Sequence, residues 1–342
     1  MKKIGILTAG GDCPGLNSAI VETIYEIKRK GCKPVLVRNG YKGLLDAANL
    51  GNGDGTYDAE SVDLKMMHRM GGTFIGSSRV KLKDELLAQA VKGAAALKLS
   101  ALIVIGGDGS LLSANRLSRH IPVAGIPKTI DNDVAATDIS IGFATAVDTA
   151  VASIEKIQDT ARSHGHFFFV EVMGRRSGFL AAHAALGVRA NCLIVPESPW
   201  SLDSLTPFIV ESGIAIVSEG AWCPDLGSDS GRGPGGRLGG VADKIVGKLS
   251  ASTSIKDVVG VKLRAVTLGH VLRGGCPSAS DRILARRFAK QASDLACEGK
   301  SGLCVKVNDK VSYVSIDQVE LGRKFLNAMD LYELSTVLPA LK

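Results

Sequence analysis

The sequence predicts an α/β protein of two lobes, each built on a largely parallel sheet. Strand-like apolar runs alternate with longer amphipathic stretches, capping residues mark helix ends between them, and 342 residues exceed what one ordinary core needs. In chain order the apolar runs are KIGILTA, PVLVR, ALIVIGG, PVAGI, FFFVEVM, CLIVPE, IAIVSEG and LRAVTLGH. Nearly unbroken apolar runs belong to strands buried on both faces, as parallel strands are. Residues 17–30 read as a helix with Asn17 as N-cap and Gly31 as its stop. Residues 144–164 read as a second, with Val147, Val151, Ile154 and Ile157 on one face. Residues 278–298 form a third, ended by Gly299. Residues 225–240, DLGSDSGRGPGGRLGG, read as a flexible loop.

Composition excludes several function classes. No apolar stretch approaches the roughly 18 residues that a membrane span needs. The N-terminal apolar run ends at Leu7 in a Gly-rich loop, so it reads as a first strand and not as a signal peptide. Seven cysteines without a CxxC argue against a disulfide framework or a zinc site and for the reducing cytoplasm. The net charge of +7 arises from 41 basic residues interspersed with 34 acidic ones, and only 5% of residues are aromatic. That pattern is unlike a nucleic-acid interface, so no nucleic acid and no membrane partner is expected.

Three strand-end loops carry the chemistry. IPKTIDND, residues 126–133, sets Lys128, Thr129, Asp131, Asn132 and Asp133 directly after a buried run. In open α/β folds the carboxyl ends of parallel strands face the ligand crevice; the plain alternative is a solvated turn. GGDGS, residues 106–110, offers Asp108 among small neighbours, which suits a phosphate-bound Mg2+, although an Asp-Gly turn reads the same way. TAGGDCPGLN, residues 8–17, sets Gly10 and Gly11 between strand and helix, where backbone N–H groups can approach an anion. Its spacing fits neither GxGxxG nor GxxxxGK[ST], and a structural tight turn explains it equally well.

Taken together these loops resemble the phosphofructokinase family. GGTFIGSSR (residues 71–79), SHGHFFFVEVMGR (163–175), SEG (218–220) and LGHVLRGGCPSASDRILA (268–285) extend the likeness in the same order over nearly the whole chain. The resemblance implies an ATP-dependent kinase, close to the mixed-substrate and pyrophosphate-type branch, that phosphorylates the 1-hydroxyl of fructose 6-phosphate with ATP and Mg2+. It implies a nucleotide-binding lobe of residues 1–142 plus 271–322 and a sugar-phosphate lobe of residues 143–270 plus 323–342, with the site in the cleft between them, in a homodimer or homotetramer.

Residue by residue, the resemblance assigns Gly11, Arg79, Val80, Gly107, Asp108, Gly109 and Ser110 to the nucleotide, with Asp108 on Mg2+. Asp131 becomes the base for the sugar hydroxyl, and Thr129 and Arg175 contact the transferring phosphoryl group. Ile130, His166, Met173, Gly174, Glu219, Arg264, His270, Val271, Leu272 and Arg273 complete the sugar-phosphate contacts. Phosphoryl transfer depends mainly on positioning and charge neutralisation, which such a set supplies.

Four features depart from the family pattern. His166 stands where many bacterial members carry an arginine that crosses a subunit interface to the 6-phosphate. Val21 and Tyr25 replace effector-binding arginines. Lys128 replaces a glycine of the common ATP users, whereas Gly109 stands where pyrophosphate users carry an aspartate, so Gly109 and Lys128 together bear on the donor. Residues 225–240 look inserted. The rivals are a pyrophosphate or mixed-donor enzyme, a nucleotide or lipid kinase sharing GGDG, and a catalytically silent sugar-phosphate-binding paralogue.

Overall fold

The computed structural model describes residues 1–50, 55–57, 59–227, 238–251 and 260–337. In chain order the elements are β1 (Lys3–Ala9), α1 (Leu16–Arg29), β2 (Lys33–Val37), α2 (Tyr41–Leu50), β3 (Thr56–Tyr57), α3 (Leu64–Met67), β4 (Ser77–Ser78), α4 (Asp84–Ala96), β5 (Ala101–Gly106), α5 (Asp108–Ser118) and β6 (Val123–Pro127). They continue with α6 (Phe143–His164), β7 (His166–Val172), α7 (Phe179–Val188), β8 (Cys192–Ile194), α8 (Leu202–Leu205), β9 (Ile214–Ser218), α9 (Val241–Ala251), β10 (Lys262–Thr267), α10 (Ala279–Glu298), β11 (Gly302–Val307), β12 (Lys310–Val314) and α11 (Ala328–Val337). The alternation of strand and helix that the sequence predicts is therefore present, and the sheets are largely parallel.

The chain divides into two compact units. The first takes Met1–Ile130, Val134–Thr145 and Arg273–Arg323; the second takes Asp131–Asp133, Ala146–Leu272 and Lys324–Lys342. In the first unit the sheet order is β12-β11-β6-β5-β1-β2-β3, with β4 also pairing β1. Its central strands β1, β5, β6 and β2 are parallel, and only the margins β3 and β12 pair antiparallel. Every residue of β5 and β6 is buried, which explains why these runs carry no polar alternation. Leu7, Val37, Leu44, Leu102, Val104 and Ala114 form the core on which α2, α4 and α5 pack.

In the second unit the strands are all parallel, in the order β10-β7-β9-β8. Phe167, Phe169, Ala215, Val217, Val241 and Ile245 build its core. β10 has one strand neighbour and stays partly exposed, with Lys262 and Arg264 reaching solvent.

Two local expectations change. Asn17 does not cap α1; Gly15, in the left-handed region at φ 88°, precedes the helix without a side-chain cap. Asn17 is 2% exposed and clamps the distant loop at residues 70–74, donating to the carbonyls of Met70 and Gly71 and accepting from the Phe74 N–H. The second helix begins at Phe143, and its fully buried face is Ala146, Ala150, Ile154 and Ala161, with the valines half-buried beside it. The third helix runs as expected, with the Ser278 hydroxyl accepting from the Asp281 N–H and Gly299 left-handed at its end. Of the Gly-rich loop, residues 228–237 lie outside the described residues.

Candidate active site

In the first unit three strand-end loops meet at Gly10. Its N–H donates to the Ser78 carbonyl (2.9 Å), and its φ of 94° admits glycine without strain. A Cβ there would lie 3.1 Å from Ser110 Oγ and 3.3 Å from Lys128 Nζ, so a larger residue would crowd both side chains. Lys128, 4% exposed, donates from Nζ to the Gly11 carbonyl at 2.6 Å. The Arg273 guanidinium lies 3.6 Å from a Cβ built on Gly11, with Nη1 3.8 Å from Asp12 Oδ1. Burial pushes the neighbouring Cys13 thiol up to about 12, which keeps it neutral and unreactive. Gly11 and Arg79 share a cavity of about 430 Å³ with Gly10, Asp12, Gly72, Thr73, Ser77 and Ser78. Val80 instead packs against the hydrophobic core.

Gly107 precedes α5, so Asp108, Gly109 and Ser110 form its first turn, at the positive end of the helix dipole, which favours an anion. Nothing lies within 4 Å of a Cβ built on Gly109. The Asp108 carboxylate accepts from Arg323 Nε at 2.8 Å. No sequence motif marked Arg323, because its partner lies 215 positions away. Thr129 is fixed through its backbone: its N–H donates to the Ile141 carbonyl (3.0 Å), and its carbonyl accepts from Ser140 Oγ (2.8 Å). The Ile130 side chain is buried.

In the second unit Asp131, 5% exposed, faces Arg175, whose Nε lies 3.5 Å from Oδ2. The Asp131 carbonyl accepts from Ser177 Oγ (3.0 Å), and the Asp133 carbonyl accepts from the Lys324 N–H (3.0 Å). Arg175 sits in the left-handed region at φ 54°, an uncommon place for a side-chain-bearing residue. Glu219 holds it there, its Oε1 accepting from the N–H groups of Arg175 (2.9 Å) and Gly174 (3.2 Å). Gly220 is required opposite, since a Cβ there would lie 1.8 Å from the Arg175 carbonyl oxygen. Burial raises the Glu219 carboxyl above its usual range, against the pull of the Arg175 N–H. Met173 is buried beside this turn.

The remaining sugar-phosphate candidates divide. His270 is exposed just beyond the end of β10, Val271 is 60% exposed, and the Leu272 side chain is fully buried, so only its backbone is available to a ligand. Arg273 belongs to the first unit, beside Gly11 and Asp12. His166 begins β7, opposite Lys262 and two residues along the sheet from Arg264. Desolvation, then Arg264, Lys262 and His164, lower its imidazole below its ordinary value. β7 rises about 3.3 Å per residue, so its seven residues set His166 roughly 20 Å from the Arg175 end. Within one chain His166 and Arg175 therefore do not serve one phosphate.

A family model described as Phosphofructokinase matches residues 3–296. An ATP-dependent 6-phosphofructokinase 3 of Streptomyces coelicolor is 38% identical over 319 residues, covering 88% of this chain and 89% of that protein. A pyrophosphate--fructose 6-phosphate 1-phosphotransferase of Dictyoglomus thermophilum is 37% identical over 326 residues, covering 89% of each. Among solved structures, the T-state phosphofructokinase of Pichia pastoris superposes with a TM-score of 0.79 at 28% identity, over 93% of this chain and 35% of that longer one.

Proposed function

The chain belongs to the phosphofructokinase family, and from that premise we propose that it transfers the terminal phosphoryl group of ATP to the 1-hydroxyl of fructose 6-phosphate. The observation that carries this reading is the strand-end carboxylate Asp131 beside an arginine whose unusual backbone is built in by Glu219 and Gly220. Asp131 takes the proton of the sugar hydroxyl, and Arg175 neutralises charge on the transferring group. Thr129 precedes Asp131 by two residues, so the chain itself keeps their Cα atoms within about 7 Å, and its hydroxyl contacts the same phosphoryl group. Gly11, Arg79 and the first turn of α5 hold the donor phosphates, with Lys128 and Arg273 as cations beside Gly11.

The residues fit Mg2+ arriving on the donor. Asp108 offers one carboxylate, the space at Gly109 is open, and among the described residues no cluster of three or more His, Cys, Asp or Glu forms a cage. A donor-borne Mg2+ needs one or two carboxylates plus phosphate and water oxygens, and it would supply charge neutralisation on those phosphates.

For the acceptor, Met173, Gly174, Glu219 and His270 gather at the carboxyl end of the second sheet. His166 and Arg264, towards the other end, serve the sugar phosphate of a second copy in a homodimer or homotetramer. No helix among the described residues is long and apolar enough to cross a membrane, and a cytoplasmic enzyme is the reading we adopt.

Lys128 favours a second reading in which pyrophosphate also serves, since an ammonium donates to phosphate oxygens of either donor. Purified protein given Mg2+ and fructose 6-phosphate with ATP or pyrophosphate in turn decides this, with fructose 1,6-bisphosphate as the readout. Faster turnover with ATP is expected. Faster turnover with pyrophosphate would overturn the donor assignment, and no product with either would overturn the activity.

A further inference from the structure

Arg323 reaches Asp108 from the far end of the first unit's sequence. Its Nε donates to Asp108 Oδ2 at 2.8 Å, and both side chains are about three-quarters shielded, at 28% and 23% exposure. Its backbone is anchored independently, bridging Val134 in antiparallel fashion. An apolar cluster ties the three elements involved: Leu111 from α5, Val134, and Val319 from the turn of 3-10 helix at Ile316–Leu321. The guanidinium is thus held against this carboxylate by packing and pairing together, and it is not a loose surface contact. Asp108 is also the carboxylate that the first turn of α5 offers to a donor-borne cation. The guanidinium and a divalent ion draw on the charge of the same carboxylate, so the two cations compete for it.

We propose that Arg323 is a positioning residue for phosphoryl transfer: it holds Asp108 in place while no divalent cation is bound and releases it when the metal–donor complex arrives. The inference rests on the reading that Asp108 faces the metal. Pairing holds the carboxylate in one place and lets donor phosphates approach a less negative surface. Binding of the divalent ion then competes with one part-buried ion pair, so Arg323 weakens metal binding by up to the strength of that pair.

The test is Mn2+ binding, followed by electron paramagnetic resonance, to the full-length protein with a non-hydrolysable ATP analogue. Arg323→Gln is expected to tighten Mn2+ binding by about two- to fivefold, the range that loss of such a pair leaves. Arg323→Lys, which keeps the charge but loses the planar fork, should fall between Gln and wild type. The melting temperature of Arg323→Gln should fall without ligands, and its deficit should shrink with Mn2+ and analogue bound. Should Arg323→Gln fail to fold, Arg323→Met, which removes the charge but keeps a long side chain, carries the same expectation. An unchanged or weaker Mn2+ constant in the neutral variant overturns the proposal, since a merely structural arginine would alter stability alone. Asp108→Asn separates the two readings: if it leaves Mn2+ binding intact, the assignment of Asp108 to the metal fails, and the proposal with it.

Discussion

Asp131→Asn separates structural from chemical contributions at the site. The substitution keeps the side-chain shape and leaves the Asp131 carbonyl to accept from Ser177 Oγ, so the loop's backbone anchor at 3.0 Å survives. It removes the charge facing Arg175, but that pair is long at 3.5 Å and the arginine is 38% exposed. Solvent screening limits such a pair to about 1 kcal/mol or less, which moves the melting temperature by only a few degrees in a chain of this size. Loss of a general base lowers a rate by about 10²–10⁴, equivalent to about 3–5 kcal/mol. kcat should therefore fall by at least two orders of magnitude while the fold and both KM values barely change. Steady-state formation of fructose 1,6-bisphosphate, with calorimetry on the same samples, measures both quantities. A kcat within tenfold of wild type would assign the proton to another group, and a melting temperature lower by more than about 10 °C would show that the charge is structural.

Gly109→Asp should abolish turnover with ATP, because a carboxylate would fill space that is open to at least 4 Å and repel the donor; retained ATP activity would show that the donor does not pass there. The lowered imidazole of His166 is protonated only below its ordinary value, so sugar-phosphate KM should rise as pH climbs through that lower value and stay flat from about pH 7 to 8. His166→Arg should lower KM and remove the dependence, and an unchanged KM at pH 6 in that variant would remove His166 from the phosphate. Glu219 has a folded carboxyl raised above its usual 4.5, so its contribution to stability is full below that value and is lost as pH rises through the raised one. Glu219→Gln, which still accepts the two N–H groups, should gain stability relative to wild type across that window; a difference independent of pH would contradict the raised carboxyl.

Much of the site was legible as local pattern. Apolar runs long enough to lie buried on both faces announced β1, β5 and β6, and the polar clusters after them announced the loops carrying Asp108, Thr129 and Asp131, because strand burial and turn chemistry act over a few neighbouring residues. Asn17 misled for the same reason: next to a helical pattern it looks like a cap, whereas its partners lie more than 50 positions onward. Only the tertiary structure decided contacts of that kind. The sheet order of the first unit departs from chain order, so β11 lies beside β6 and the segment that follows β12 returns past Val134 with Arg323 against Asp108. Likewise the sequence by itself names His166 and Arg175 within ten residues of each other, but an extended strand separates them by its full length, and the backbone strain of Arg175 becomes intelligible only when Glu219 and Gly220 are folded against it. The local code fixes which groups each strand end presents; which groups meet is set by strand pairing and core packing between segments far apart in the chain, for which no short-range pattern exists.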